Sequence, residues 1–280
     1  LSGPAFIWAE VSAKIVKAAG RPFVLSLHGG NLPSFARRWP GRVRRLLSSA
    51  NAVIAPSRYL SEQMKPFRDE IMVFPNPLDL DSYSLDRREK ASPRLIWLRA
   101  FHEVYNPTLA VTVAYLLLKD HPETELIMVG PDKGDGSLET TKKICAELGA
   151  SKHVVMTGGV SRYEVPNLLK SADIFLNTTN IDNTPVSVME AMACGLCIVS
   201  TNVGGIPYLL EHERTALLVP PNDPDAMTSA VQRILNEPEL AHRLSSNAIR
   251  AAEQFDWELI LPKWDYLMRG LARKDGRTAA

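Results

Sequence analysis

Several features are scarce in this 280-residue chain, and each absence excludes a class of protein. The cysteines are Cys145, Cys194 and Cys197, which are too few for a disulfide framework and indicate a reducing, cytoplasmic environment. No uncharged apolar run reaches about 18 residues, so the sequence predicts no membrane-spanning helix. Cys194 and Cys197 form a C-x-x-C pair, but no second Cys or His pair stands near it to complete a metal site. We therefore expect the cysteines to be small buried residues.

The motifs that identify many enzymes are also missing. There is no G-x-x-x-x-G-K-[ST] phosphate loop, no G-x-G-x-x-G after a strand, no H-E-x-x-H zinc motif and no G-x-S-x-G nucleophile turn. Asp79 and Asp81 match a metal-holding D-x-D pattern, but they lie in a polar segment between predicted strands. We expect no metal and no cofactor, and a metal-dependent enzyme that uses these two aspartates stays an alternative.

The charge balance is uneven along the chain, although the net charge is only +1 and argues against general nucleic-acid binding. Residues 1–78 hold 11 basic and 4 acidic residues, whereas residues 79–280 hold 21 and 27. The basic excess centres on FARRWPGRVRRLL, in which apolar side chains stand among Arg37, Arg38, Arg42, Arg44 and Arg45. Such a segment either rests on an anionic membrane surface, grips a phosphorylated acceptor, or forms an ordinary solvated helix face.

Short apolar runs alternate with helical patterns through most of the sequence, of which 45% is hydrophobic. The predicted strands are 23–27, 52–55, 71–74, 94–98, 125–130, 153–157, 174–177, 197–200 and 216–219. The predicted helices include 107–119, 137–148, 161–171, 185–194 and 224–236. Apolar strands separated by helices of about 10–15 residues predict an α/β fold with parallel sheets covered on both faces.

One polar segment, LDLDSYSLDRREKASP, interrupts this alternation and predicts a linker over 79–93. It separates a basic N-terminal domain, 1–78, from a complete-looking C-terminal domain, 94–258. We expect residues 259–280 to form a C-terminal helix that packs back on the first domain. Three strands are few for a parallel sheet, and no Gly-rich turn follows a strand in residues 1–23, so we expect the first domain to lack its N-terminal segment.

The loop 178–184 is the first candidate binding site, because ligands of open α/β sheets bind beyond the carboxyl ends of strands. Thr184 and Pro185 suit an N-cap and a first helical residue, and the amides of a helix start favour a diphosphate. From one side of that site Glu190 would reach ribose hydroxyls, while Asp182 would face the group on the other side. The alternative is that Asp182 caps the turn and Glu190 is half-exposed. Gly195 predicts the helix C-terminus.

Two further strands end in glycine pairs, which let a backbone come close to a ligand. These pairs are Gly204 and Gly205 in STNVGGIPYLL, and Gly29 and Gly30 in LSLHGGN. His28 precedes the second pair, where it either faces a ligand or is structural.

A single cation, Arg99, follows the strand RLIWL. A guanidinium at a strand end can bind phosphate oxygens bidentately and stabilise a departing diphosphate. The alternative is a surface ion pair with Glu103, four residues later.

Together these features resemble glycosyltransferase family 4, the retaining nucleotide-sugar enzymes of the GT-B fold. The most specific stretch is IDNTPVSVMEAMACGLCIVSTNVGGIPYLL, which is similar to the family's acidic-x7-Glu motif and its following Gly-Gly-x-Pro loop. AVIAPSRYLSEQM, NPLDLDSY, VVMTGGVSRYEVPNLLKSADIFLN and FDWELI match other landmarks in order. The resemblance implies two Rossmann-like domains that face a cleft, with the donor on the second, the acceptor on the first, and no metal.

Residue roles follow from the same resemblance. Arg99 would bind the diphosphate, Asp182 would lie near the transferred sugar, and His28 would line the sugar site. Glu190 would hold the ribose hydroxyls. The loop positions that would contact phosphate or sugar are Asn183, Thr184, Pro185 and Val186.

Two departures from the family pattern stand out. The family commonly has a Lys five or six residues after the Arg, where this chain has Val104 and Tyr105, and Asp182 is one methylene shorter than the usual Glu. We expect hexosyl transfer from a UDP- or GDP-sugar to a glycan or lipid-linked acceptor, within polysaccharide biosynthesis in the cytoplasm or at the inner membrane face. The alternatives are a nucleotide-sugar-binding subunit without catalysis and a same-fold epimerase or phosphorylase.

Overall fold

The computed structural model describes residues 5–83 and 87–274, which divide into two compact units. The first unit contains the described residues up to Pro77, the short loop segment Asp182–Thr184, and the described residues from Phe255 onward. The second unit contains Leu78–Ile181 and Pro185–Gln254. All nine predicted strands are present within these residues, and most differ from the expected bounds by one or two positions.

The first unit is built on a parallel three-stranded sheet. Its strands are Val24–Ser26 (β1), Ala52–Ala55 (β2) and Met72–Val73 (β3), paired in the order β1-β2-β3. The helices of its N-terminal part are Ala5–Ala18 (α1), Leu32–Arg38 (α2), Pro40–Ser49 (α3) and Arg58–Met64 (α4). The sequence explains two of these starts, because Pro40 opens α3 and the Ser57 hydroxyl accepts a hydrogen bond from the Leu60 amide at the start of α4.

The second unit is a six-stranded, all-parallel sheet. Its strands are Arg94–Leu98 (β4), Glu125–Val129 (β5), Val154–Gly158 (β6), Ile174–Asn177 (β7), Cys197–Thr201 (β8) and Leu217–Val219 (β9). Its helices are Pro107–Leu117 (α5), Ser137–Glu147 (α6), Val165–Lys170 (α7), Val186–Ala193 (α8), Ile206–Leu209 (α9), Pro224–Asn236 (α10) and Pro238–Ala252 (α11). The predicted α/β class with parallel sheets is confirmed.

The strand order of the second sheet is β6-β5-β4-β7-β8-β9. The chain therefore builds outward from β4 to β6 on one side, then returns to the middle and builds from β7 to β9 on the other. Ile96 of β4 and Phe175 of β7 are paired and fully buried, as expected for central strands of a sheet covered on both faces. β4 and β7 are thus the two reversal strands, between which the direction of building changes. In such sheets the crevice between these two strands, at their carboxyl ends, is the usual ligand site.

Two predicted details of this unit are wrong. Pro185 holds the N-cap position with an extended ψ of 120°, so α8 begins at Val186 and Thr184 is not its cap. The helix predicted from 161 begins only at Val165, because residues before it form a turn closed by the Glu164 carboxylate on the Ser161 amide. The end of α8 is as predicted, with Gly195 at a positive φ of 67° after the last turn. Cys145, Cys194 and Cys197 are buried thiols that are not part of a disulfide, which confirms that prediction.

Part of the segment predicted as a linker is anchored in the second unit. Arg88 is buried and pairs with the Asp173 carboxylate at 3.1 Å, and its guanidinium also donates to the Ala172 and Cys194 carbonyls. Arg94 donates two hydrogen bonds to the same carboxylate, at 2.9 and 3.0 Å. The Ser245 hydroxyl accepts from the Arg88 amide, so this network joins residues 88–94 to β7, α8 and α11.

The last helix, Trp257–Lys274 (α12), belongs to the first unit. Its Trp264 ring meets the Phe74 ring edge-on, with 5.4 Å between the ring centres. Among the residues that the structure describes, no helix combines the length and apolar character needed to cross a bilayer.

Candidate functional site

Arg99 leaves the sheet at its point of reversal, directly after β4. Its guanidinium carbon lies 4.3 Å from the centre of the Tyr105 ring, within the range of a cation–π contact. Burial lowers the pKa of Arg99, but an arginine keeps its proton in proteins and the group remains a cation. The site therefore holds a largely desolvated positive charge supported by an aromatic face.

The segment that carries Tyr105 is tied to the loop that follows β7. The Thr178 hydroxyl donates to the Tyr105 carbonyl at 2.7 Å and accepts from the Trp97 indole at 2.9 Å. The Asn180 amide donates to the Val104 carbonyl at 2.8 Å. These bonds connect the two reversal strands beyond their ends and fix the place of Tyr105 under Arg99.

Gly130, the residue after β5, lets the Arg99 backbone pass at close range. A Cβ atom on Gly130 would lie 1.8 Å from the Arg99 carbonyl oxygen, and its φ of 152° is one that L side chains rarely adopt. Only glycine satisfies both conditions, so the path of the chain at Arg99 depends on this residue.

Glu190 lies on α8, four residues after its first residue, which is about 6 Å along the helix axis. Its Oε1 accepts a hydrogen bond of 2.8 Å from the Tyr83 hydroxyl. Burial raises the pKa of Glu190, and the opposing effects of the Tyr83 hydrogen bond and the Arg99 charge are smaller. Burial and the neighbouring carboxylate raise the pKa of Tyr83, so its phenol stays protonated and acts as a donor.

The start of α8 presents polar groups that suit an anion. Pro185 has no N–H, so the first backbone donors of this helix are the amides of Val186 and Ser187. Ser187 is only 7% exposed, and among the described residues its hydroxyl has no hydrogen-bond partner. A buried hydroxyl without a partner at a helix N-terminus is what a site for a phosphate group supplies.

The glycine pair after β8 forms the loop before α9. Gly204 has a φ of 54°, which favours glycine, whereas Gly205 has an ordinary φ of −86° at the N-cap of α9. The loop before it is held because the Thr201 hydroxyl donates to the Thr179 carbonyl.

Other predicted site residues belong to the first unit. His28 is exposed, and its Nε2 lies 2.8 Å from the Ser26 hydroxyl, while the burial of part of its ring lowers its pKa. Gly29 follows with a φ of 102°, and Gly30 precedes the turn into α2.

The loop segment Asp182–Thr184 also groups with the first unit. The Asp182 Oδ1 accepts a hydrogen bond of 2.8 Å from the amide of the next residue, Asn183. Asn183 is buried and its side-chain oxygen accepts from the Ser57 hydroxyl, and the Thr184 carbonyl accepts from Asn76. The predicted catalytic set is thus divided, with Arg99 in one unit and Asp182 and His28 in the other.

Tyr83, Tyr105 and Thr178 contact the candidate site residues or their segments, and the sequence did not indicate these contacts. Tyr105 stands at a position of the family's Lys, and its aromatic character is the one signal that could have linked it to Arg99. No local pattern identifies Tyr83, because its partner Glu190 is 107 residues away.

The arginine-rich segment FARRWPGRVRRLL, residues 35–47, is only partly available for a ligand. Arg42 pairs with Glu10, Arg37 donates to Gln63, and Arg44 donates to the Pro66 carbonyl. Leu46 and Leu47 are buried in the first unit, so they offer no surface to a membrane. Exposed side chains of this segment include Arg38, Trp39 and Arg45, and Trp39 is 48% exposed.

The family comparison matches most of the chain. The model of "Glycosyl transferases group 1" matches residues 86–251, and that of "Glycosyltransferase Family 4" matches residues 2–82. A Mycolicibacterium hassiacum protein named MMP alpha-(1->4)-mannosyltransferase is 28% identical over 80% of this chain and 56% of its own length. A Mycolicibacterium smegmatis GDP-mannose-dependent phosphatidylinositol monomannoside mannosyltransferase is 32% identical over 43% of this chain and 32% of its own. The chain therefore corresponds to only part of these relatives.

Solved structures share the fold at low identity. The Anabaena protein HepE in complex with UDP superposes with a TM-score of 0.80 at 18% identity, covering 94% of this chain and 76% of HepE. Sucrose-phosphate synthase of Thermosynechococcus elongatus gives a TM-score of 0.76 at 21% identity, covering 90% and 68%.

Proposed function

Because this chain belongs to the glycosyl transferases group 1 family, we propose that it takes part in retaining transfer of a hexosyl group from a nucleoside diphosphate sugar. The acceptor would be a glycan or a lipid-linked hydroxyl, and the reaction would need no metal and no cofactor. The donor base would be uracil or guanine. The name of one relative includes GDP-mannose, and one structural neighbour was solved with UDP, so the proposal includes both bases.

The observation that carries this proposal is that Arg99 and Glu190 both lie beyond the carboxyl ends of the central strands β4 and β7, close enough for the Arg99 charge to act on Glu190. Arg99 supplies a desolvated cation for the diphosphate, and the start of α8 supplies the Val186 and Ser187 amides. Glu190, about one helical turn further along, would supply a carboxylate for two ribose hydroxyls. The proposal therefore places the diphosphate at the start of α8 and the ribose beside Glu190.

The chemical step breaks the bond between the sugar's anomeric carbon and the diphosphate oxygen. Arg99 and the α8 amides stabilise the negative charge that develops on the leaving diphosphate. The acceptor oxygen forms its bond to the same carbon from the same face, and its proton passes to the leaving phosphate oxygen. No protein nucleophile takes part. Asp182 would lie beside the transferred sugar and His28 would line its pocket, as the family resemblance implies.

A thermal-shift screen with UDP-, GDP- and ADP-sugars tests the donor class. A ligand at a hundred times its dissociation constant adds about 2.7 kcal/mol of stability, which is visible as a higher Tm. Glu190→Ala should abolish this shift, whereas Glu147→Ala on the exposed face of α6 should keep it. Absence of turnover in the full-length protein, together with unchanged UDP and GDP binding by Glu190→Ala, would overturn the proposal.

A second candidate is a subunit that binds a nucleotide sugar without transferring it. Tyr105 favours this second candidate, because its aromatic ring stands where the family pattern has a cation that binds the diphosphate. This version would show the same thermal shift but release no nucleotide with any acceptor tested.

Peripheral membrane binding is a separate part of the proposal. Trp39 is exposed and the guanidinium carbon of Arg38 lies 5.9 Å from its ring centre, a combination that suits an anionic lipid surface. Co-sedimentation with vesicles rich in anionic lipid should fall when Arg38, Trp39 and Arg45 are replaced by Ser. Unchanged sedimentation would leave an ordinary solvated helix face.

A further inference from the structure

Tyr83 and Glu190 form a hydrogen bond at the centre of the proposed donor site. The Tyr83 side chain is half-buried, and its hydroxyl lies 2.8 Å from the Glu190 Oε1. Both residues belong to the second unit, although 107 positions separate them. The bond therefore depends on how the segment after Leu78 packs against α8.

The geometry leaves room for both Tyr83 and a ligand on the same carboxylate. An ionised carboxylate has two oxygens with about four lone-pair sites, and Tyr83 occupies one of them on Oε1. Two vicinal hydroxyls need one lone pair each. Tyr83 can therefore stay in place while Glu190 accepts both ribose hydroxyls.

The groups that act on the Glu190 charge come from two elements. Arg99, after β4, and Tyr83 both favour the ionised carboxylate, and burial opposes them. A carboxylate that is buried and flexible would gain a proton or turn away from a ligand. A neutral donor at 2.8 Å fixes the orientation of the carboxylate and stabilises its charge without adding a second cation.

We propose that Tyr83 is a positioning residue, which holds the Glu190 carboxylate oriented and ionised for the ribose of the donor. The inference rests on the proposed function, since it takes Glu190 as the ribose-binding group. Tyr83 acts through Glu190 and touches no reacting atom, so it should affect binding of the donor rather than the chemical step.

The test is calorimetric titration of UDP and GDP into the wild type, Tyr83→Phe, Glu190→Gln and the double variant. Tyr266→Phe on α12 serves as the control, because that tyrosine is 83% exposed. Tyr83→Phe should weaken nucleotide binding about fivefold near neutral pH and raise KM while leaving kcat within about twofold. The double variant should bind no more weakly than Glu190→Gln, because the phenol acts through that carboxylate.

A pH series separates positioning from a general loss of structure. The Tyr83 hydrogen bond lowers the pKa of Glu190, so its removal raises that pKa further. Nucleotide binding that needs the ionised Glu190 carboxylate is lost as the pH falls through the pKa of Glu190. Tyr83→Phe should therefore lose nucleotide binding at a higher pH than the wild type. Tyr266→Phe should follow the wild type throughout.

The outcomes distinguish the inference from the function on which it rests. Equal or tighter binding by Tyr83→Phe, or losses that add in the double variant, would overturn the inference and leave the donor site standing. A wild type that binds neither UDP nor GDP would overturn both. Wild-type affinity in Glu190→Gln would remove the role of Glu190 and the inference with it.

Discussion

The guanidinium of Arg99 lies over the ring of Tyr105, at 4.3 Å from its centre. The resemblance to the family predicts a second cation at this place or next to it, and the chain has an aromatic face instead. A ring there cannot replace a phosphate-binding cation, but it contacts the guanidinium of Arg99, to which the proposed function assigns the diphosphate. Tyr105 therefore supports the position of Arg99, but it does not replace the positive charge of the family's Lys.

Removing the ring should weaken diphosphate binding. Tyr105→Ala removes a contact worth about 1 kcal/mol, so UDP or GDP affinity should fall about fivefold, whereas Tyr105→Phe keeps the ring and should bind within twofold of the wild type. Calorimetric titration measures both. Equal losses in the two variants would show that the hydroxyl, and not the ring face, matters.

Gly130→Ala should displace the chain at Arg99. The new Cβ would collide with the Arg99 carbonyl oxygen, and the φ of 152° adds backbone strain. We expect a loss of about 2–4 kcal/mol in the free energy of unfolding, measured with urea. Gly159→Ala is the matched control, because its Cβ would meet Pro131 at an ordinary 3.5 Å. A similar loss in both variants would refute the close-approach argument.

Asp173→Ala should be among the most destabilising single substitutions in the second unit. It leaves Arg88, whose side chain is 10% exposed, without its carboxylate, and breaking such a buried pair costs about 3–5 kcal/mol. Asp265→Ala removes an exposed carboxylate paired with Arg269 on α12 and should leave the free energy of unfolding nearly unchanged. Urea unfolding of the two variants compares the networks directly.

Glu190→Gln should stabilise the protein in a pH-dependent way. The pKa of Glu190 is raised above 4.5 in the folded state, so the folded carboxylate is disfavoured relative to the unfolded one. The resulting loss in the free energy of unfolding is absent below the pKa that Glu190 has in the unfolded chain. It is complete once the pH exceeds the pKa that Glu190 has in the folded protein. The gain in Tm should therefore be larger near pH 8 than near pH 4, even as nucleotide binding is lost. The exposed Glu147→Gln should show no such difference.

The central strands of the second sheet could be predicted because buried parallel strands are continuous apolar runs. Phe175 and Ile96 stand in such runs, and both are fully buried. Helix starts were less predictable. Thr184 looks like a cap, but the extended conformation of Pro185 moves the first turn of α8 one residue onward.

The place of Arg99 in the fold was predictable, because the end of a strand alone positions it. Tyr83 was not, because its contact with Glu190 depends on the tertiary path of a polar segment that resembles a linker. Local residue patterns carry no signal for a partner 107 positions away. The same holds for Arg88, whose charge in a polar run predicts exposure until Asp173 is placed beside it.

The Arg88 contacts also bear on the order of folding. Its partners Asp173 and Ser245 lie 85 and 157 positions after Arg88 in the sequence. These bonds therefore form only after β7 and α11 are in place. Closing such long loops is slow, and contacts of this kind are commonly absent from the folding transition state. We therefore expect loss of the Arg88 side chain to accelerate unfolding while leaving the refolding rate nearly unchanged. The anchored segment would then set the lifetime of the native state rather than the speed at which it is reached.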